Sequence, residues 1–209
     1  MKNPPRSKRK RAPTTKTPTR KRRSSTAAAR GRRKRSTDPS PPGAIAYLGL
    51  GSNLGNRRAH LEMALCEIAR VAPLRRISSF YRTAPVGFRD QPDFWNAVVE
   101  IAWRGSPSGL LKAAQVVERR VGRTPTFVNG PREIDVDVLD FGGRIRAKGD
   151  PILPHPRLNE RRFALAPLAE INPRWKDPRT GRRVGELLAA LPGNPRARRI
   201  ALRPRRPRE

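Results

Sequence analysis

From Phe94 to Trp103 the side chains alternate in character: Trp95, Ala97, Val99, Ile101 and Trp103 are all apolar, while Phe94, Asn96, Val98, Glu100 and Ala102 are mixed. Successive side chains of a strand point to opposite faces, so this stretch predicts a strand with one face that has to be buried and one that is free to line a site. Such a strand needs sheet partners and a covering layer. Both are legible nearby. Residues 44–50 read as a short buried strand and 76–81 as a second. In residues 134–141, Ile134, Val136 and Val138 face a core while Asp135 and Asp137 point together to the other side. The covering layer is written at helical spacing: Leu61, Leu65, Ile68 and Ala72, then Leu110, Ala114, Val117 and Val121 behind a capping Ser106. Gln115 and Glu118 share a different, polar face of that second helix. Weaker helical stretches follow around 161–171 and 185–191. The order predicts an α+β fold: a ferredoxin-like β-α-β-β-α-β sandwich with a mainly antiparallel sheet, helices on one face, and extra C-terminal helices.

Composition decides where that fold begins. Residues 1–42 hold 16 Lys or Arg, one acid (Asp38) and seven prolines, but no Leu, Ile, Val, Phe, Tyr or Trp, and they carry half of a formal net charge of +30. Nothing there offsets the entropy of ordering, so a disordered basic tail is expected. The folded domain is expected over residues 43–202, with a short basic tail over 203–209. No run of about 18 apolar residues offers a membrane span, and the N-terminus lacks the apolar core of a secretory signal. The one cysteine, Cys66, excludes an internal disulfide and a thiolate metal cluster. A cytoplasmic monomer in a reducing compartment is the expectation.

The chemistry gathers at Asp135 and Asp137. Two like charges about 7 Å apart along a strand are costly unless a cation joins them. Hard carboxylate oxygens on a rigid strand suit Mg²⁺, which usually takes one or two of them together with substrate phosphates; the alternative is a solvent-facing edge with two surface acids. Arg123 and Arg132 favour the metal, because cations beside paired carboxylates fit a nucleotide polyphosphate. The passage Gly49-Leu50-Gly51-Ser52-Asn53-Leu54-Gly55 lacks the G-x-G-x-x-G spacing and reads as a tight turn feeding a helix. His155, between Pro154 and Pro156 with Arg161 close behind, reads either as a turn residue or as part of a phosphate-handling loop.

Five blocks in order carry a resemblance. They are Gly51-Ser52-Asn53-Leu54-Gly55-Asn56, Ser79-Phe80-Tyr81-Arg82-Thr83-Ala84-Pro85-Val86-Gly87, and Asp90-Gln91-Pro92-Asp93-Phe94-Trp95-Asn96-Ala97. Gly130-Pro131-Arg132-Glu133-Ile134-Asp135-Val136-Asp137 and the run from Pro154 to Phe163 complete the set. Over about residues 44–202 the chain resembles the 6-hydroxymethyl-7,8-dihydropterin pyrophosphokinases of folate biosynthesis. That resemblance implies transfer of the β,γ-pyrophosphoryl unit of ATP to the pterin hydroxymethyl oxygen, with release of AMP. It also implies that Asp135 and Asp137 hold two Mg²⁺ ions, and that Arg123 and Arg132 are mobile-loop arginines acting with them in catalysis. Gln115, Glu118, Arg123, Arg132, His155 and Arg161 match ATP-binding positions. Phe94 and Phe163 would sandwich the pterin ring, Asn96 would bond its amide edge, and Thr83, Pro85 and Val86 would complete the substrate pocket. The chain departs from the family pattern at Pro125, Val128, Asn129 and Pro156.

A rival class, nucleic-acid binding, draws on the same β-α-β-β-α-β order and the large positive charge. An RNA-recognition sheet needs stacking aromatics on its central strands, where this chain has Asp135 and Asp137. Non-specific nucleic-acid contact is therefore expected only of the 1–42 tail, and the partners of the domain are the small molecules ATP and hydroxymethyl dihydropterin.

Overall fold

The computed structural model describes residues 43–193, 197–202, 204, 205 and 207. The tail expected over residues 1–42 lies outside them, as do residues 203, 206, 208 and 209 of the C-terminal one.

The described elements run β1 (Ala44–Ser52), α1 (Arg57–Ala69), β2 (Leu74–Ile77), β3 (Tyr81–Thr83), β4 (Phe94–Trp103), α2 (Pro107–Val121), β5 (Asp135–Phe141), α3 (Arg162–Ile171), α4 (Val184–Ala190) and β6 (Arg198–Arg199). The sheet order is β5-β1-β4-β3-β6, with β2 also pairing β4. Every pairing between these strands is antiparallel. This is the expected ferredoxin-like arrangement, with β4 and β1 at its centre.

Local chemistry fixes the helix ends. Asn56 caps α1 by accepting the Ala59 N–H at 3.1 Å. Ser106 caps α2 through the Gly109 N–H at 3.0 Å, with Pro107 in the first turn. Gly122, at φ 101°, ends α2 in the left-handed region that a side chain disfavours. The apolar stripes of α1 and α2 pack on Leu48, Leu50, Ala97, Val99, Ile101, Val136 and Val138, the face predicted for burial.

Two expectations need correction. The helices are not confined to one face: α3 and α4 cover part of the other, around Tyr47, Val98, Leu139 and Trp175. Val98 on the mixed face of β4, fully buried, is what they pack on. The single strand expected over 76–81 is two strands with a break. The Ser78 hydroxyl accepts the Val98 N–H at 2.9 Å, so a side chain replaces a ladder carbonyl. The Ser79 N–H turns to Glu170 at 3.0 Å. Strand β6, with two residues and no apolar pattern, has no signature in the sequence. It is held by the Ile200 N–H to Phe80 carbonyl bond at 2.8 Å and by Arg199, which reaches Ser79 at 2.8 Å.

Candidate active site

The face away from α1 and α2 is bare at one end, and the register explains why. Gly49 lies between Val98 of β4 and Asp137 of β5, and Gly51 between Asn96 and Asp135. In both rows the middle strand contributes no side chain. An added Cβ at Gly51 would stand 3.1 Å from Asn96 Oδ1, and one at Gly49 would stand 3.3 Å from Leu139 Cδ1. The two glycines are thus a cavity floor inside β1, and the turn read from the glycine passage lies just after it, over residues 53–56, where it feeds α1.

The cavity over this floor has a volume of about 440 Å³ and is lined by Thr83, Val86, Phe94, Asn96, Arg132, Asp135, Asp137, His155, Arg161 and Phe163, all singled out from sequence. Pro85 lines an adjoining groove that shares Thr83 and Val86 with it. Buried Asn96 donates to Thr83 Oγ1 at 2.7 Å, which turns its Oδ1 toward the floor. Phe94 and Phe163 are half-buried, and each carries a guanidinium over its ring: Arg132 at 5.9 Å and Arg161 at 5.5 Å.

Those arginines also serve the aspartates. Asp135 pairs with Arg123 at 2.9 Å and Arg132 at 3.1 Å, and Asp137 pairs with Arg161 at 2.5 Å. Burial, and then the neighbouring Asp137 charge, push the Asp135 carboxyl above its ordinary range, while Arg132 and Arg123 pull it back. Burial first, and then Arg161, lower His155 to about 4, so it is neutral near pH 7. Its Nδ1 accepts the Arg157 N–H at 3.1 Å, which leaves the ring proton on Nε2 as a donor.

Three residues matched to ATP positions stand outside this lining: Arg123, which reaches it through Asp135, and two on α2. Gln115 is exposed on α2. Glu118 is buried, accepts the Val136 N–H at 2.8 Å and pairs with Arg123, so it joins α2 to β5 and steadies an arginine of the site. Burial raises its carboxyl despite these donors.

Gly49, Gly51, Asn129, Arg157 and Glu160 also line the cavity, and the sequence reading assigns none of them to a site. The glycine pair carried a usable signal, since a spacing of two inside a strand puts both on one face. Asn53 and Gln91 were quoted only within motifs. In the fold they bind each other at 2.8 Å and tie the surrounding loops together.

As a metal centre the site offers two carboxylates. Among the described residues no group of three or more His, Cys, Asp or Glu could hold an ion by protein ligands alone. Two hard oxygens on one strand face, beside arginines at an open cavity, fit Mg²⁺ bound together with a polyphosphate. The donor set does not suit a soft or fully caged metal. Among the described residues no helix is long and apolar enough to cross a membrane.

The model of one family, 7,8-dihydro-6-hydroxymethylpterin-pyrophosphokinase, matches residues 47–173. The chain is 43% identical over 129 residues to the 2-amino-4-hydroxy-6-hydroxymethyldihydropteridine pyrophosphokinase of Bacillus subtilis, covering 61% of this chain and 77% of that protein. It is 43% identical over 130 residues to the protein of the same name from Methylorubrum extorquens, covering 61% of this chain and 82% of that one. Against the folic acid synthesis protein fol1 of Schizosaccharomyces pombe it is 37% identical over 150 residues, 71% of this chain but only 20% of that much longer protein. A Plasmodium falciparum HPPK-DHPS crystal structure with pteroate superposes with a TM-score of 0.56 at 15% identity, over 73% of this chain and 44% of that one, a likeness of fold. The profile match covers more than half of the chain, and the two bacterial relatives align over most of their lengths: the chain belongs to the 7,8-dihydro-6-hydroxymethylpterin-pyrophosphokinase family.

Proposed function

We propose that this chain transfers the pyrophosphoryl unit of ATP to the hydroxymethyl oxygen of 6-hydroxymethyl-7,8-dihydropterin, a step of folate synthesis, at the Asp135–Asp137 face. The observation that carries the assignment is the juxtaposition of two carboxylates, Arg132, Arg161 and two ring faces around one cavity of about 440 Å³, with Arg123 paired to Asp135 behind it. Phosphoryl chemistry asks for positioning and charge neutralisation more than for a covalent group. Each part of the cavity has such a task.

Phe94 and Phe163 bind the flat ring by stacking, and Asn96 Oδ1 accepts from its amide edge. Thr83 holds the Asn96 amide in that orientation. Asp135 and Asp137 would hold Mg²⁺, two ions in the reading taken here. When bound, the metal supplies charge neutralisation on the phosphate oxygens. Arg123, Arg132 and Arg161 bind the triphosphate as charge-assisted donors, and neutral His155 donates through Nε2. Gln115 and Glu118 belong to the nucleotide side of the site through α2. Attack by the hydroxymethyl oxygen on the β-phosphorus breaks the bond to the α-phosphate oxygen, so the pyrophosphoryl unit moves as a whole and AMP leaves.

Incubation with ATP, Mg²⁺ and the hydroxymethyl dihydropterin, with the nucleotide product identified, tests this. AMP in step with pterin pyrophosphate is expected. ADP with a pterin monophosphate would mean attack at the γ-phosphorus and would overturn the reading. The 1–42 segment holds none of these residues, so a chain lacking it should turn over at the same rate. Any nucleic-acid affinity of that segment should fall steeply with salt.

A further inference from the structure

Two loops border the cavity, residues 84–93 between β3 and β4 and 122–134 between α2 and β5, and a third, 53–56 after β1, is bonded to both. One pair of side chains touches all three. Asn53, only 2% exposed, is bonded in both directions to Arg132: its N–H donates to the Arg132 carbonyl at 3.1 Å and its Oδ1 accepts the Arg132 N–H at 2.8 Å. Asn53 Nδ2 donates to Gln91 Oε1 at 2.8 Å and to the Pro92 carbonyl at 3.1 Å. Gln91 Nε2 in turn donates to the carbonyls of Phe88 at 2.6 Å and Asn129 at 2.9 Å. Every polar atom of both amide groups is committed to joining one loop to another.

A second contact joins the same two long loops. Phe88 and Phe127, 41% and 56% exposed, meet edge to face at 5.1 Å. Neither ring belongs to the two buried cores. Their contact works between the loops, not inside the domain. Asn129, whose carbonyl Gln91 holds, sits at φ 60°, a left-handed conformation that needs such external support.

We propose that Asn53 and Gln91 form a clasp that positions Arg132 for the phosphates, with loop 84–93 as the arm that sets it. Arg132 has two fixed points. Its backbone is held by Asn53, and its guanidinium lies between Asp135 and the Phe94 ring. Loosening the backbone point lets the guanidinium drift, and a drift of about 1 Å at such a group can cost about a hundredfold in rate. Gln91 touches none of the reacting groups. It acts through Asn53 on Arg132. The proposal rests on the assignment of Arg132 to the phosphates.

The test compares the full chain with Gln91→Ala, Arg132→Ala and the double variant, following kcat, the KM of each substrate, thermal midpoint and hydrogen exchange at the Arg132 amide. Gln91→Ala should lower kcat about tenfold with a nearly unchanged thermal midpoint and clearly faster exchange at Arg132. In the Arg132→Ala background the same change should have almost no further effect, because it has nothing left to position. If the two losses multiply, or if exchange at Arg132 is the same in Gln91→Ala as in wild type, the clasp is wrong. Should Gln91→Ala not fold, Gln91→Glu keeps the acceptor for Asn53, sets a carboxylate oxygen against the Phe88 and Asn129 carbonyls, and should give the same pattern of lower kcat and faster exchange at Arg132. A fully active Arg132→Ala would remove the phosphate assignment instead, and amide exchange alone would then decide the clasp.

Discussion

The two faces of the β5-β1-β4 sheet are cut from the same three strands and do opposite things. Toward α1 and α2 every position carries a side chain: Leu48 and Leu50 on β1, Val99 and Ile101 on β4, and Val136 and Val138 on β5 are all buried. On the reverse, the rows Asp137–Gly49–Val98 and Asp135–Gly51–Asn96 have no side chain in the middle. One face is a filled layer and the other a basin with charge on one rim and aromatic rings beside it. The period of two in a strand makes this possible, since a residue for the core and a residue for the chemistry can be chain neighbours without constraining each other.

That contrast breaks most sharply at Asp135 and Val136. Asp135→Ala or Asp137→Ala should each cost about 3–4 kcal/mol of transition-state stabilisation, seen as a loss of several hundredfold in kcat/KM. Asp→Asn should be nearly as damaging, since the shape stays and the charge goes. The double variant should cost far less than the sum, because both carboxylates act on the same polyphosphate. Val136→Ala should do the reverse: about 2 kcal/mol of folding stability lost in denaturant unfolding, with the active fraction keeping its turnover. An aspartate variant that unfolds like the valine variant would show that the two faces are not separable.

Filling the basin is the next largest effect. Gly51→Ala places a methyl 3.1 Å from Asn96 Oδ1, the atom assigned to the pterin amide edge, so pterin KM should rise about tenfold, roughly 1.4 kcal/mol. Gly49→Ala meets the flexible end of Leu139 at 3.3 Å and should do less. Equal and small effects on pterin and ATP would mean that the glycines are only strand residues.

These positions also show how far the sequence could be read. The alternation in Phe94–Trp103 and around Asp135 gave both strands, their two faces and the core, because a period of two survives in a single sequence. The helices followed from their spacing and from Ser106. The short strands did not follow: β2, β3 and β6 are set by Ser78, Glu170 and Arg199, which act through tertiary bonds. The face of α3 was invisible because Val98 looks alike whether it meets a helix or solvent. Asp135 and Asp137 were legible, but not their pairing with Arg123, Arg132 and Arg161, which come from other elements. The work of Asn53 and Gln91 appears only when three loops meet.

Phe94→Ala and Phe163→Ala sharpen the comparison from the other rim. Stacking on a flat ring is worth about 0.5–1.5 kcal/mol beyond area burial. Each substitution should therefore weaken pterin binding by about that much more than it weakens binding of an ATP analogue, as read by calorimetric titration of both ligands. Equal losses would assign the rings to packing, like Phe80 and Phe141 on the filled face.

The last effect expected is one of pH, and the part of it due to His155 belongs to the open face. The hydrophobic residues packed under α1 and α2 carry no ionisable group, and Glu118 at the α2–β5 seam, its carboxyl raised by burial, takes up a proton in the native state first. The basin has His155, which burial and then Arg161 hold at about 4 in the native protein against 6.5 when unfolded. Between those values the unfolded chain binds a proton that the native chain refuses, so native stability rises with pH across the window and falls on acidification from 7 toward 4. Below about 4 both forms carry the proton and this loss stops. A full separation of that size is worth about 3 kcal/mol; solvent screening at a half-buried ring reduces it to about 1–2 kcal/mol. Asp135 works in the opposite sense, since its raised carboxyl takes up a proton in the native state first. The cleaner quantity is therefore the difference between wild type and His155→Gln, both without ligands. That difference, from urea unfolding at pH 7 and pH 4.5, should move by about 1 kcal/mol or more against wild type at the lower pH. Parallel curves for the two proteins would show that His155 titrates like a solvated imidazole, and the rim beside Asp137 would then be wetter than its burial implies.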